Sequence, residues 1–397
     1  MDIRSITLFT EPDTPAHHLA DFIAAARTAF PYPVQTVRLA TTPFPDWLPH
    51  EFHTSLMLLT EVWQTVGIDY LSVGPVQLHH ADQWLKMIPA LLSATDMVFA
   101  SVEIGDKNGR IAPDRCRALA RIIKQVSQIQ ANGFGNLYLT ALANCPPGSP
   151  FFPVAYHEGG ATHFALAVEA ADLAVTAVQN ATSLDQARHN LIQAIETAAQ
   201  AIGQVATPLA QQYGLTYSGL DFSLAPFPTD DKSLAGALEG LGIPHLGASG
   251  SLFSAAFITE AIGRANFPRC GFSGLMLPVL EDSVLARRAA QGVITINDLL
   301  SYAAVCGVGL DTIPLPGDVA ESSLTALLLD VAALAARLDK PLTARLMPLP
   351  GLQAGDPVSF DFPYFADSRV MPVRGTGLTE PLASAGRLTM RRVSSNQ

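Results

Sequence analysis

The chain has 397 residues, of which 49% are hydrophobic and only 15% are charged. This charged fraction is well below the ~25% of an average soluble domain, which predicts a large buried core and an apolar contact between subunits, most simply in a two-fold homodimer. The net charge of −11 and the scattered Lys and Arg residues disfavour nucleic-acid binding. The apolar stretches end before the ~20 residues that cross a membrane, because charges such as Asp330 and Arg337 interrupt them.

The four cysteines lie far apart and form no C-x-x-C pair. The first residues, Met1 to Ser5, have no signal-peptide core. Both features predict free thiols in the reduced cytoplasm.

Strand-like and helix-like patterns alternate along the first half of the chain. Strands are expected at 3–9, 34–40, 70–76, 98–104 and 137–142, with helices at 16–30, 82–92 and 115–128. A long helix is expected from Leu184 to Tyr213, where Ser183 and Gln186 form a capping-box pattern. Its position near the midpoint of the chain makes it a spacer between two halves.

The second half repeats this alternation. Strands are expected at 217–224, 275–280, 310–315 and 342–347, with helices at 233–241, 252–265, 283–291, 297–305 and 320–338. Such alternation predicts a mostly parallel sheet covered by helices, and nine strands over this length favour a closed barrel. One domain over 1–367 is therefore expected, with halves at 1–182 and 214–367. Residues 368–397 are expected to be a partly disordered C-terminal extension.

The segment from Cys306 to Asp318 places a thiol, three glycines and two carboxylates where a strand meets a helix. Ligand sites in α/β proteins form at such junctions. Asp318 and Glu321 have the spacing of a capping box for the following helix, while Asp311 has no comparable structural role. Cys306 follows an apolar run, so it is either a packed thiol or a reactive one.

Further carboxylates end other strands. Asp221 and Ser223 share one face of their strand, and they would either line a barrel interior or fix the following proline-rich loop. Glu281 and Asp282 follow the strand at 275–280, and one of them is expected to cap the next helix. Together with Cys306 and Asp311 they are the candidate catalytic residues.

Three more residues are candidates for substrate binding. His157 and Glu158 follow a rigid proline turn at 144–150, where they could perform acid–base chemistry, bind a metal or simply be hydrogen-bonded loop residues. Arg345, on the strand at 342–347, would bind a substrate carboxylate if it points inward. No phosphate-binding or dinucleotide motif occurs, so a nucleotide cofactor is not expected. A divalent metal stays possible, although no ligand spacing supports it.

These motifs resemble those of the domain-of-unknown-function 711 family, often labelled "PFL family protein". The resemblance lies in 220–226, in 271–274 with 278–282, in 304–311 with 316–318, and in the opening 2–7. It implies the fold of pyruvate formate-lyase-like glycyl-radical enzymes, a β/α barrel of ten strands in two five-stranded halves, wrapped by helices. Glycyl-radical chemistry needs a C-terminal Arg-Val-x-Gly-Tyr-type loop. The nearest segment, 373–377, lacks the aromatic residue and the order of that loop, which disfavours radical catalysis.

The leading hypothesis is a cytoplasmic metabolic enzyme that acts on a small polar molecule inside the barrel without a glycyl radical. A carboxylate at one strand end would be a general base or a metal ligand. The alternative is a non-catalytic ligand-binding or sensor protein on the same barrel. Asp311 and Asp221 are expected to face each other across the interior.

Overall fold

The protein is described by a computed structural model, which covers residues 1–375 and 377–390. None of the helices in these two ranges is long and apolar enough to span a bilayer. Thr376 and residues 391–397, which include the C-terminal end expected to be disordered, lie outside the described residues.

Strands and helices alternate along the described chain, as expected for an α/β protein. The strands are β1 (Asp2–Phe9), β2 (Val37–Ala40), β3 (Tyr70–Val76), β4 (Val98–Gly105), β5 (Arg110–Ile111), β6 (Leu139–Ala143), β7 (His163–Glu169), β8 (Thr216–Ala225), β9 (Gly309–Pro316), β10 (Leu342–Leu349), β11 (Pro357–Val358), β12 (Ser368–Arg369) and β13 (Leu388–Thr389). The helices are α1 (Ala20–Ala29), α2 (His53–Thr65), α3 (Ile88–Ala94), α4 (Pro113–Val126), α5 (Ala171–Gln179), α6 (Leu184–Tyr213), α7 (Leu234–Gly240), α8 (Ser251–Arg264), α9 (Ser283–Ala290), α10 (Ile296–Ala303) and α11 (Glu321–Leu338).

The large central sheet has the strand order β8-β7-β1-β2-β3-β4-β6-β10-β9. β1, β2, β3, β4 and β6 run parallel to one another, and β7–β8 and β9–β10 are parallel pairs. The five-stranded set meets the two pairs through antiparallel contacts, β1 with β7 and β6 with β10. The predicted α/β fold is confirmed, and its sheet is mixed.

The long central helix α6 has the predicted bounds. The Ser183 hydroxyl accepts the backbone N–H of Gln186, as an N-cap does. The Gln186 side chain accepts the N–H of Thr182 instead of that of Ser183, so only half of the predicted capping box forms. The helix ends at Gly214, whose φ of 66° is the left-handed conformation that glycine adopts at helix C-termini.

The two faces of the sheet differ in character. The face covered by helices carries the main apolar core, which includes Ile6 and Leu39. The opposite, inner face carries hydroxyls, and a loop over residues 145–162 lies against it. The carbonyl of Pro150 accepts hydrogen bonds from the hydroxyls of Ser5 and Thr7, at 3.1 and 2.8 Å. This loop gives the inner face polar partners and leaves part of it open.

The strand predicted at 275–280 is not a regular strand. A wider segment, 268–280, forms isolated bridges to β8 at Leu220–Arg269 and to β9 at Pro278–Asp311. Proline cannot donate to a ladder, and Ser273 has a φ of 41°, so continuous pairing is interrupted. In the hydrogen-bonded order of the described strands, β8 and β9 therefore remain the ends of the sheet, and a closed ladder of ten regular strands is not found.

One capping prediction is wrong. Helix α11 begins after Ala320, which carries no side-chain cap, and Asp318 is exposed two residues before it. The turn from Pro316 to Val319, closed by a backbone hydrogen bond, places Asp318 outside the helix. Asp318 therefore has no capping role.

Candidate functional site

A cavity of about 110 Å³ opens on the inner face of the sheet, between the loop at 151–154 and the strands β2, β3, β9 and β10. Eight of its lining residues are aromatic and five are charged. The aromatic residues are Tyr70, Phe99, Tyr138, Phe151, Phe152, Phe272, Phe362 and Tyr364, and the charged ones are Arg4, Arg38, Glu281, Asp311 and Arg345.

Three of the predicted site residues form one charged network in this cavity. The Arg345 guanidinium donates from Nε to Asp311 Oδ1 at 2.5 Å and from Nη2 to Glu281 Oε1 at 2.8 Å. All three residues are at most 9% exposed. Burial lowers the pKa of Arg345, but the two carboxylates outweigh it and keep that pKa above the usual range. Arg345 is therefore a fixed cation between two carboxylates.

An irregularity of the backbone brings Asp311 and Arg345 together. β10 and β9 are in register at Ala344–Leu310, and the register has shifted by the next pair, Leu346–Ile313. Arg345 thus faces two residues of β9, a β-bulge, and the second of them, Thr312, has a φ of 44°. A β-branched residue at positive φ is a backbone outlier, and bulges redirect side chains next to functional sites. The fold accepts local strain where Asp311 meets Arg345.

Glu281 joins this network from the segment 268–280. The hydroxyl of Thr312 accepts the N–H of Leu280, which fixes the chain just before Glu281. The second carboxylate oxygen of Glu281, Oε2, lies 3.4 Å from Nη2 of Arg4. Burial raises the pKa of Glu281, and the neighbouring arginines oppose that shift. Glu281 is thus a buried carboxyl that faces the cavity and holds its proton more tightly than usual.

Arg38, on β2, is the other buried arginine of the cavity. Its Nε donates to Thr36 Oγ1 at 2.8 Å, and its guanidinium carbon lies 5.1 Å from the ring centre of Phe152. Among the described residues no carboxylate forms an ion pair with it. Burial, and after it the nearby Arg4, lower the pKa of Arg38 to about 9. Only 8% of the residue is exposed.

Asp221 and Ser223 lie on the inner side of the sheet but do not line the cavity. Asp221 is fully buried, and it accepts hydrogen bonds from the Ser223 hydroxyl and from the backbone N–H groups of Phe272 and Ser273. Burial raises the pKa of Asp221 to about 6. A Cβ at position 271 would come within 2.1 Å of the Asp221 carboxylate, so Gly271 is needed there. Asp221 holds the loop at 271–274, and Asp311 faces Arg345 rather than Asp221.

Asp282 and Cys306 also lie away from the cavity. The Asp282 carboxylate caps helix α9, and it accepts the Ser233 hydroxyl and the N–H of Ala235 at the start of α7. Cys306 lies in the apolar core on the helix side, where burial raises the pKa of its thiol to about 11. Both residues therefore have structural roles, because Asp282 binds the starts of two helices and Cys306 packs against the helix side of the sheet.

His157 and Glu158 border a different cleft, beyond the carboxyl ends of β1, β2 and β3. Glu11, Asp13 and Asp46 line the same cleft, whose volume is about 540 Å³. His157 is 1% exposed, and neither ring nitrogen has a hydrogen-bond partner in the part of the chain that the structure describes. The structure does not bring these two residues to the inner cavity.

One group of metal-type ligands occurs within residues 1–375 and 377–390, formed by Asp46, His79 and His80. Nδ1 of His80 accepts the N–H of Gln77, so its Nε2 carries the proton and donates to Asp46 at 3.0 Å. Neutral His80 therefore has no free lone pair for a metal. The candidate residues predicted from the sequence do not form a group of this kind.

The sequence reasoning missed Arg4, Arg38 and the aromatic wall of the cavity. One signal was available for Arg38, which stands in the middle of the run Val37-Arg38-Leu39-Ala40. Buried parallel strands are nearly continuous apolar runs, so a charge inside one indicates an unusual environment. The aromatic residues come from six separate parts of the chain, and no local pattern connects them.

A comparison with protein families places this architecture in a known group. Residues 1–361 match the family described as "Uncharacterised ACR (DUF711)". The chain belongs to this family. The resemblance inferred from the motifs of the sequence is thereby confirmed.

Curated relatives of this DUF711 chain are called UPF0210 proteins. One from Pyrobaculum arsenaticum is 32% identical over 280 residues, which cover 68% of this chain and 61% of the relative. One from Lactobacillus delbrueckii subsp. bulgaricus is 26% identical over 406 residues, covering 96% of this chain and 88% of the relative. One from Listeria monocytogenes is 29% identical over 77% of this chain and 69% of the relative. The chain thus spans about three-fifths of the Pyrobaculum relative, and the names give no activity.

Proposed function

We propose that this protein is an enzyme that moves a proton on a small polar molecule held in the inner cavity. The observation that carries the proposal is Glu281, a buried carboxyl with a raised pKa on the wall of a cavity. General acids and bases work best when their pKa is shifted toward the working pH, and shifted carboxyls cluster at active sites. Glu281 would take and return the proton.

The other charged residues would position Glu281. Asp311 holds Arg345 at 2.5 Å, and Arg345 holds Glu281 at 2.8 Å. Because two of its nitrogens are occupied in this way, Arg345 suits a positioning role better than the substrate-binding role expected from the sequence. The bulge at Thr312 supports this assignment, because local strain is typical of residues that a site holds in place.

A closed ten-stranded barrel would give this cavity its wall. Segment 268–280 supports that arrangement, because it bonds to both ends of the sheet. The N–H of Met276 donates to the carbonyl of Ser223 on β8, and the N–H of Val279 donates to that of Asp311 on β9. We infer that this segment is an irregular tenth strand between β8 and β9. It would give two sets of five parallel strands, the second formed by β7, β8, this segment, β9 and β10.

The radical alternative receives no support from the cavity. Among the described residues no cysteine lines it, and Cys306 lies on the helix side of the sheet. Thr376, in the segment compared with the radical loop, lies outside the described residues. The cytoplasmic location and the homodimer expected from the sequence stay predictions.

Hydrogen exchange in a bound substrate would test the proposal. The protein is incubated in D₂O with a panel of small organic molecules that carry an acidic C–H bond, and exchange is followed by proton NMR. We expect exchange in at least one compound with the wild type and its loss, about 10²-fold or more, in Glu281→Gln. Burial also raises the pKa of Glu103, which does not line the cavity, so Glu103→Gln is the matched control.

Two results would contradict this proposal, the first for the role of Glu281 and the second for the enzyme as a whole. Exchange that is as fast in Glu281→Gln as in Glu103→Gln would exclude Glu281 as the proton carrier. A compound that binds in the cavity and never exchanges or turns over would favour the alternative, a ligand-binding or sensor protein.

A further inference from the structure

We infer that Arg38 binds the carboxylate of the substrate, so that the molecule held in the cavity is a small organic acid with a single negative charge. This inference rests on the proposed function, because it takes the bound molecule to be the substrate of that enzyme. It follows from the contacts and charges of Arg38 and of the cavity wall.

Arg38 is a buried cation that lacks the partner such a group needs. A buried charge is strongly destabilising unless it is paired, and proteins almost always pair it. Arg345 has two carboxylates, and the fully buried Arg115 has three backbone carbonyls and Asp82. In the described residues Arg38 has one hydroxyl, Thr36 Oγ1, on Nε. Its two terminal nitrogens make no hydrogen bond there, although Arg38 lines the cavity.

A carboxylate fits these free nitrogens. The guanidinium fork and a carboxylate form two parallel hydrogen bonds, and such charge-assisted pairs are among the strongest in proteins. Arg38 is held in a fixed orientation for this pairing, because Thr36 binds Nε and the ring of Phe152 lies 5.1 Å from the guanidinium carbon. The site is therefore preorganised for a planar anion.

The charge of the cavity indicates a monoanion. Arg4, Arg38 and Arg345 contribute three positive charges to its wall, and Glu281 and Asp311 contribute two negative ones. Arg345 and Arg4 already have carboxylate partners, since Arg4 also lies 3.5 Å from the buried Glu169 behind the wall. One negative charge on the ligand would therefore pair Arg38, the described wall cation without a carboxylate, whereas a phosphate dianion would exceed it. The eight aromatic residues of the wall favour a ligand with an apolar body, which inorganic phosphate lacks. A small organic acid satisfies both requirements.

Calorimetry with matched probes tests the inference. Propionate, 2-oxobutyrate and benzoate are titrated into the protein, with propionamide and benzamide as neutral probes of the same shape and with inorganic phosphate. We expect at least one acid to bind, its amide and phosphate to bind at least tenfold more weakly, and Arg38→Met to lose about tenfold or more of the affinity for the acid. Arg287→Met, at an exposed arginine that pairs with Asp230 and does not line the cavity, should bind like the wild type.

Circular dichroism shows whether Arg38→Met is folded, and Arg38→Lys provides a second test. Lysine keeps the charge without the fork, so it should restore only part of the affinity. If no acid binds the wild type, if the amides bind as well as the acids, or if phosphate binds most tightly, the assigned ligand class is wrong. If Arg38→Met binds the acids unchanged, Arg38 is not their partner.

These outcomes are independent of catalysis. Loss of binding in Arg38→Met with intact binding in Glu281→Gln supports the carboxylate site even if no turnover is found. Exchange of a neutral compound by the wild type would support the enzyme while overturning the carboxylate site. The two proposals can therefore fail separately.

Discussion

Arg38 and Arg115 are both buried arginines, but their surroundings are opposite. Arg115, on α4, is fully buried, donates to the carbonyls of Val76, Gln77 and His80, and lies 2.8 Å from a carboxylate oxygen of Asp82. Arg38, on β2, has a single hydrogen bond within the described residues. Arg115 ties a loop to a helix, whereas Arg38 has no carboxylate partner among the described residues to offset the cost of burying its charge.

Whether a buried charge has partners within the chain distinguishes a structural charge from a functional one more reliably than its burial does. A buried charge whose partners all lie within the chain needs no ligand. A buried charge without partners is retained for a reason that the folded chain alone does not supply. By the same criterion Asp221 and Asp282 are structural, and the cavity is the place for a ligand.

Removal of the two arginines should give the largest contrast. Arg115→Met removes three hydrogen bonds to backbone carbonyls and the ion pair with Asp82, so we expect the free energy of unfolding to fall by about 3 kcal/mol. Arg38→Met removes an unpaired buried charge, so we expect its free energy of unfolding to stay within about 1 kcal/mol of wild type or to rise. Urea unfolding at neutral pH measures both. Equal losses in the two variants would break the comparison.

The second effect is expected from the titration of Asp221, and it depends on pH. The folded protein binds the Asp221 proton more tightly than the unfolded chain, since burial raises its pKa from 3.8 to about 6. This contribution to stability is present below about pH 4 and is lost as the pH rises through about 6. It corresponds to about 3 kcal/mol at most, because one pKa unit is worth ~1.4 kcal/mol.

Asp221→Asn provides the measurement. The free energy of unfolding of the wild type, minus that of the variant, should fall between about pH 4 and pH 6 and be flat above pH 7. The asparagine amide also cannot accept both backbone N–H groups of the loop at 271–274, so the variant should be less stable throughout. A difference that does not change with pH would mean that Asp221 is not a buried acid.

The smallest effect is expected at Asp282. Asp282→Ala removes the cap of α9 and the acceptor for α7, and loss of an N-cap costs about 1–2 kcal/mol. Acid binding in the cavity should not change, because Asp282 does not line it. Thermal unfolding and the calorimetric titration test the two halves of this prediction. Weakened binding would mean that Asp282 has a functional role and not only a structural one.

Local patterns predicted many of the regular elements, missed α2, α5 and β7, and failed where contacts are distant. Helix α6 has its predicted bounds because its periodicity and its cap are local signals. β7 was missed because His163–Glu169 is rich in alanine and has few of the β-branched residues typical of strands. The strand at 275–280 was overestimated, since its two bridges depend on partners tens of residues away.

The candidate site was likewise only partly predictable from local sequence patterns. Glu281, Asp311 and Arg345 were predicted as candidates, and the structure brings these three together. Asp221 was predicted as the counterpart of Asp311, but a sequence does not show which strand end faces which. Arg38 was overlooked because its importance lies in a partner that it lacks, and a missing contact leaves no pattern.

The loop at 145–162 has a consequence for folding. Ser5 and Thr7 reach Pro150 across more than 140 positions, and β10 pairs with β6 across about 200. Contacts of such separation form late and slowly, because closing long loops of chain costs entropy before any pairing rewards it. The cavity is therefore assembled only when segments from the beginning, the middle and the end of the chain have met, and ligand binding should return in the last phase of refolding.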